Sequence, residues 1–291
     1  MEPARPCCLP RAAHSQRRTD KARGVLLFFL LTYTAAWAAF FWAAVWPTGS
    51  WFATALLLAG TFAPSFVALV LIARESGRAG LRSLLRRVLD VQVSCQWYAF
   101  AVGYIAALKL MAATTHRLIA GAWPTFGTAP WVLIPFAILI SAPVQAGEEI
   151  GWRGYALPRL AARFGFARAS LLLGLLWGVW HLPLFVIPGH GNYGQSFWLF
   201  VLGSTALSVA MAWLFINTRG SVGLAMLMHS AVNQTNGLVP TRMANPGNPF
   251  AVFDASLISG LFAGLLLVTA AYFLWRMRPS TELVVHSEAA V

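Results

Sequence analysis

Two adjacent carboxylates, Glu148 and Glu149, close an apolar run that opens at Trp131 and carries no earlier charge. A lone carboxylate at mid-membrane depth costs about 3 kcal/mol or more, so a partner is required. On a continuing helix Arg153 lies i,i+4 from Glu149 and neutralises it, while Glu148 points about 100° away. The spacing therefore makes Glu149 and Arg153 a supporting pair and leaves Glu148 for chemistry. Further along, Trp177 precedes His181 by four residues and His229 precedes Asn233 by four, so each pair shares a helical face. Taken singly, such pairs are buried core or interhelical glue. Taken together, a carboxylate, two imidazoles and an amide can converge on one point inside a bundle. There Glu148 would take a proton from a water shared with His181, and His229 and Asn233 would donate to a developing oxyanion. That chemistry is peptide-bond hydrolysis. The set Glu148, His181 and His229 would equally offer Zn2+ three ligands and an open position for water, although the His-Glu-x-x-His helix pattern is absent.

The elements that must position these residues are set by composition. The 291 residues are 58% hydrophobic and only 10% charged, with a mean hydropathy of +0.66, which excludes a soluble domain. The fold class is all-α, a polytopic membrane helix bundle of about eight transmembrane helices. The spans are 25–46, 51–73, 97–115, 131–155, 169–187, 197–215, 222–239 and 256–275. Two basic amphipathic stretches, Arg78 to Asp90 and Leu157 to Arg168, read as interfacial helices. Lys109 falls inside the third span and is expected to snorkel or pair there. The domain plan is a disordered cytoplasmic tail at 1–23, a transmembrane protease-type domain at 24–278 with its motif core at 131–239, and a second disordered tail at 279–291.

Charge fixes an orientation. The net charge of +12 would suggest nucleic acid in a soluble protein, but here the Lys and Arg sit between apolar runs, so no nucleic-acid partner is expected. All of them except Lys109, Arg117 and Arg242 fall on the side of the N-terminal tail, which puts both termini in the cytoplasm. On this reading a peptide enters from the cytoplasmic leaflet, past basic segments resting on the lipid bilayer. Cys7, Cys8 and Cys95 have neither metal-ligand spacing nor an evident disulfide partner.

The three motifs Glu148-Glu149-x-x-x-Arg153, Trp177-x-x-x-His181 and His229-x-x-x-Asn233 occur in the order found in a known family. In them the chain resembles the CAAX protease and bacteriocin-processing (CPBP) intramembrane proteases, with their Rce1-like, lysostaphin-resistance-like and bacteriocin-immunity (Abi) branches. The resemblance covers roughly Trp131 to Val239; beyond it the chain matches only as hydrophobic spans. It implies Glu148 as the water-activating carboxylate, His181 as its partner, His229 and Asn233 as oxyanion stabilisers, and Glu149 with Arg153 as support. Trp177 stands where the family often has Phe. The family has been described both as metalloproteases and as metal-free glutamate proteases; the expectation here is metal-free, with Zn2+ as the alternative. The substrate would be a membrane-associated protein or peptide, and the richness in Ala, Arg and Trp points to a bacterial plasma membrane. Rival readings are an inactive scaffold of the same family that binds membrane partners, and a proton-coupled transporter, which should show repeats that this sequence lacks.

Overall fold

Helix-forming apolar runs dominate the chain, and every regular element among the described residues is helical. The computed structural model describes residues 11–128, 130–239 and 256–277. Its α-helices are α1 (Arg11–Ala43), α2 (Trp51–Leu89), α3 (Cys95–Ala120), α4 (Ile134–Ser141), α5 (Ala146–Glu149), α6 (Leu157–Trp180), α7 (Phe197–Asn217), α8 (Val222–Gln234) and α9 (Leu257–Met277). The helical backbone starts at Arg11, so residues 11–23 are helix where a disordered tail was expected. The first ten residues and the expected tail at 279–291 lie outside the described residues.

All eight apolar stretches are helical, and among the described residues six helical segments are long and apolar enough to cross a membrane. Two differences account for the lower number. The fourth and fifth stretches run on as one helical segment, Trp131–Trp180. In addition, α8 has only 13 residues, about 20 Å of helix against a hydrocarbon core of about 30 Å. The first basic amphipathic stretch starts just after a glycine break at Gly77 (φ 58, ψ −148) and the second contains one near its end at Gly165 (φ 74, ψ 158), conformations that a side chain resists. Helices α1 and α2 pack together, α6 packs on α7, α7 on α9, and α3 on both α8 and α9.

The segment that carries the acidic pair changes geometry along its length. A 3-10 turn at Trp131–Leu133 leads into α4, a second at Ala142–Gln145 contains Pro143, α5 is a single turn, and Ile150–Ala156 is a π-helix. Pro143 has no N–H to donate, which favours a break in the α pattern there. Gly147 and Gly151 allow this segment to lie against α2. A Cβ at Gly147 would meet the Phe62 ring at 2.8 Å, and one at Gly151 would meet backbone atoms of Pro64 at 2.7 Å. The side away from α2 is held by aromatic contacts, with Trp152 against Phe28 and Trp180 at ring separations of 5.5 and 5.7 Å.

Candidate active site

The acidic pair is divided as its spacing predicts. Glu149 and Arg153 are fully buried, and Arg153 Nη1 donates to Glu149 Oε1 at 2.9 Å. The guanidinium also lies 4.5 Å from the centre of the Trp177 ring, a cation–π arrangement that favours a desolvated charge. Glu148 turns elsewhere: its Oε2 accepts from Trp177 Nε1 at 2.7 Å and from Trp152 Nε1 at 3.4 Å. The Trp152 bond follows the same i,i+4 spacing that pairs Arg153 with Glu149, whereas the Trp177 bond joins residues 29 positions apart and has no local signal in the sequence.

His229 is where the arrangement departs from the sequence reading. Its Nδ1 lies 2.8 Å from Glu149 Oε1, so the residue assigned to the oxyanion is anchored on the supporting pair. The carboxylate oxygen accepts, so Nδ1 donates and Nε2 is the nitrogen left for other work. His181 is fixed in the same sense, because its Nδ1 faces the Trp177 carbonyl at 2.8 Å and must donate to it. In a neutral ring Nε2 then carries the lone pair. Its ring packs edge-on against Trp180 and Phe200 at 4.7 and 4.9 Å.

Helix α8 is tied to the acidic segment by a polar seam. Ser230 Oγ donates to the Ile138 carbonyl at 2.7 Å, Gln234 Nε2 to Ser141 Oγ at 3.0 Å, and Asn233 Nδ2 to Gln145 Oε1 at 3.4 Å. This seam sets the rotation of α8 and so keeps His229 and Asn233 on the side of Glu148. Lys109 is buried in α3 and donates to Asn236 Oδ1 at 2.8 Å, which holds the end of α8.

Glu148, Trp177, His181, His229 and Asn233 line one cavity of about 390 Å³. Glu149 and Arg153 lie beneath it, outside its lining. The cavity's other walls come from the first third of α2 (Thr61), the middle of α3 (Ile105), the first halves of α7 and α9, and the loop after His181. It therefore occupies the half of the bundle that carries residues 182–196, and Trp152, Arg153 and Tyr155, all without exposed surface, close the other end.

Neither basic amphipathic stretch reaches the cavity, which corrects the expectation that they rim its entrance. They instead hold the π-helix from below. Arg87 Nη2 donates to the Gly154 carbonyl at 2.9 Å, Leu84 is buried against Gly154, and Arg159 pairs with Glu75 at 2.6 Å while Tyr155 donates to the same carboxylate at 2.7 Å. Among the described residues no three His, Cys, Asp or Glu side chains are grouped closely enough to hold a metal ion. In both histidines it is Nδ1 that meets a protein acceptor, which is also how a metal-ligating histidine is oriented.

Comparison with known proteins follows the same segment. Residues 128–235 match the family described as type II CAAX prenyl endopeptidase Rce1-like. The chain is also 24% identical over 253 residues to CAAX prenyl protease 2 of Methanococcus maripaludis, covering 80% of this chain and 92% of the relative.

Proposed function

We propose that this Rce1-like member of the CPBP family is an intramembrane endopeptidase in which Glu148 activates the attacking water. The observation that carries the reading is the convergence of Glu148 in α5, His181 at the end of α6, and His229 and Asn233 in α8 on one cavity within the bundle. Glu148 takes a proton from water, with His181 Nε2 accepting the water's other hydrogen bond. The resulting hydroxide adds to the substrate carbonyl carbon. Negative charge moves to the carbonyl oxygen, where Asn233 Nδ2 and protonated His229 Nε2 donate to it. Glu149 is the counter-ion of that imidazolium, and Arg153 balances the two carboxylates, so the cluster of four charges is neutral as a whole. Glu148 then returns its proton to the leaving amide nitrogen as the C–N bond breaks. The indole N–H of Trp177 holds the carboxylate in place throughout.

No step in this scheme passes through a metal. The substrate class is a membrane-associated protein or peptide, of which a peptide ending in a prenylated CAAX sequence is the first to test, given the relative's name. Entry is by the mouth beside residues 190–196. A cytoplasmic basic face and entry from the cytoplasmic leaflet exclude each other with the cavity in this half, and the charge count favours the first. The test is cleavage of a labelled peptide library by the purified full-length chain in lipid nanodiscs, with and without chelator. Cleavage that survives the chelator supports the reading. Activity lost to chelator and restored by Zn2+ replaces the glutamate mechanism with a zinc one, and the absence of any cleavage supports an inactive scaffold.

A further inference from the structure

The stripe of α8 that carries His229 and Asn233 into the cavity continues for one more polar residue. Asn236 follows Asn233 by three positions, in the 3-10 turn Thr235–Gly237 that ends α8, and it lines the same cavity. At helical spacing, positions 229, 233 and 236 fall within about 60° of one another around the axis. One end of the Asn236 amide is already committed: Lys109 Nζ donates to its Oδ1 at 2.8 Å and to Thr235 Oγ1 at 3.4 Å. An ammonium has only donors, so the atom it meets must be the oxygen, and the amide cannot be turned over. Lys109 is 1% exposed in α3 and stands behind the cavity wall rather than in it. The NH2 group is the end left for the cavity, and among the described residues it meets no acceptor. Two other donors of this wall, Asn192 Nδ2 and Trp180 Nε1, are also unpaired but are sealed by the atoms around them, whereas Asn236 is half-buried and its Nδ2 is not sealed.

The turn that carries Asn236 is held from several sides. Thr235 Oγ1 donates back to the Ala231 carbonyl at 2.8 Å, Leu238 N to the Thr235 carbonyl at 3.0 Å, and Gly127 N to the Leu238 carbonyl at 3.1 Å. On α9 the Phe262 ring, another part of the cavity wall, has its centre 5.8 Å from Lys109 Nζ. Asn236 is thus pinned by an ammonium packed among α3, α8 and α9, and its NH2 group is presented on a fixed frame.

We infer that Asn236 is a substrate-binding residue whose Nδ2 donates to the main-chain carbonyl two residues from the scissile one, with Lys109 as the positioning residue behind it. The inference rests on the peptidase reading for the nature of the ligand. In that reading the oxyanion is held between the levels of His229 and Asn233, and Asn236 lies roughly 8 Å farther along the helix axis. In an extended peptide the carbonyls on one side recur about every 7 Å, so a chain lying along α8 brings its next carbonyl of that side to Asn236. A second donor to the main chain sets the register of the peptide relative to Glu148 whatever its side chains are, and acts on substrate affinity rather than on the chemical step.

The experiment uses full-length protein in nanodiscs and a prenylated CAAX-type peptide extended on its N-terminal side. A matching series replaces one main-chain carbonyl oxygen at a time, other than the scissile one, by sulfur, which is a weaker acceptor. Asn236→Asp keeps an oxygen for Lys109 and turns the donor into a second acceptor, so the thermal midpoint without peptide should not fall. Its KM should rise about threefold to tenfold, with kcat changed by less than about twofold. In wild type, sulfur at one carbonyl two residues from the scissile one should raise KM by a similar factor; in Asn236→Asp the same replacement should cause no further loss, while sulfur elsewhere acts as in wild type. An unchanged KM in Asn236→Asp overturns the inference, as do equal sensitivity of the two proteins at every carbonyl, coupling at a different carbonyl, or a reduced kcat accompanied by a lower thermal midpoint. Should wild type cleave none of the peptides, their binding by fluorescence anisotropy takes the place of KM. Coupling between Asn236→Asp and that carbonyl in binding then sustains the inference while the peptidase reading fails, and its absence overturns the inference.

Discussion

Removing Arg153 should be among the most damaging single changes in this protein. The side chain is fully buried, donates to Glu149 at 2.9 Å and lies 4.5 Å from the Trp177 ring centre. Deleting one partner of a buried ion pair costs about 3–5 kcal/mol, because the other charge is stranded. The lost cation–π contact adds about 1–2 kcal/mol. Arg153→Met keeps much of the apolar stem, so the expected loss of about 4–7 kcal/mol is mostly electrostatic. Glu149→Gln in the same chain removes the stranded charge, and the double variant should recover about 2 kcal/mol or more relative to the sum of the single changes. The assay is a double-mutant cycle of unfolding free energies in mixed micelles. Losses that add to within about 0.5 kcal/mol would refute the argument that Arg153 acts by neutralising Glu149.

Trp177→Phe keeps the ring but removes the donor at 2.7 Å from Glu148; a hydrogen bond to a charged group is worth about 1.5–3 kcal/mol, so kcat/KM should fall by roughly tenfold to a hundredfold. Kinetics within twofold of wild type would show that the indole does not hold the carboxylate for catalysis. Gly151→Ala places a Cβ 2.7 Å from the Pro64 backbone and should destabilise by about 1–3 kcal/mol, read as a lower thermal midpoint. The charge count predicts that, with the native cysteines replaced, Tyr193→Cys reacts with a membrane-impermeant thiol reagent in intact cells, whereas Arg86→Cys reacts only once the cells are opened. The reverse pattern would invert the orientation and restore entry from the cytoplasmic leaflet.

The sequence made local relations legible and left tertiary ones hidden. The Glu149–Arg153 pair follows from a four-residue spacing, and the all-helical bundle follows from the length and apolarity of its runs. The π-helix at Ile150–Ala156 does not, because it depends on the fit of Gly151 against Pro64, 87 positions earlier in a different helix. The bond from His229 to Glu149 spans 80 residues and changes the histidine's surroundings from open cavity to a charged anchor. The basic amphipathic stretches misled for a related reason: their arginines look made for headgroups, yet Arg87 and Arg159 bind the backbone and carboxylate that hold the π-helix in place.

The central claim is that Glu148, and not its neighbour, is the general base. Purified Glu148→Gln should retain the thermal midpoint and peptide affinity of wild type while kcat falls by about a hundredfold to ten-thousandfold, the range expected for loss of a general base. Turnover by Glu148→Gln within tenfold of wild type on the same peptide would contradict the account.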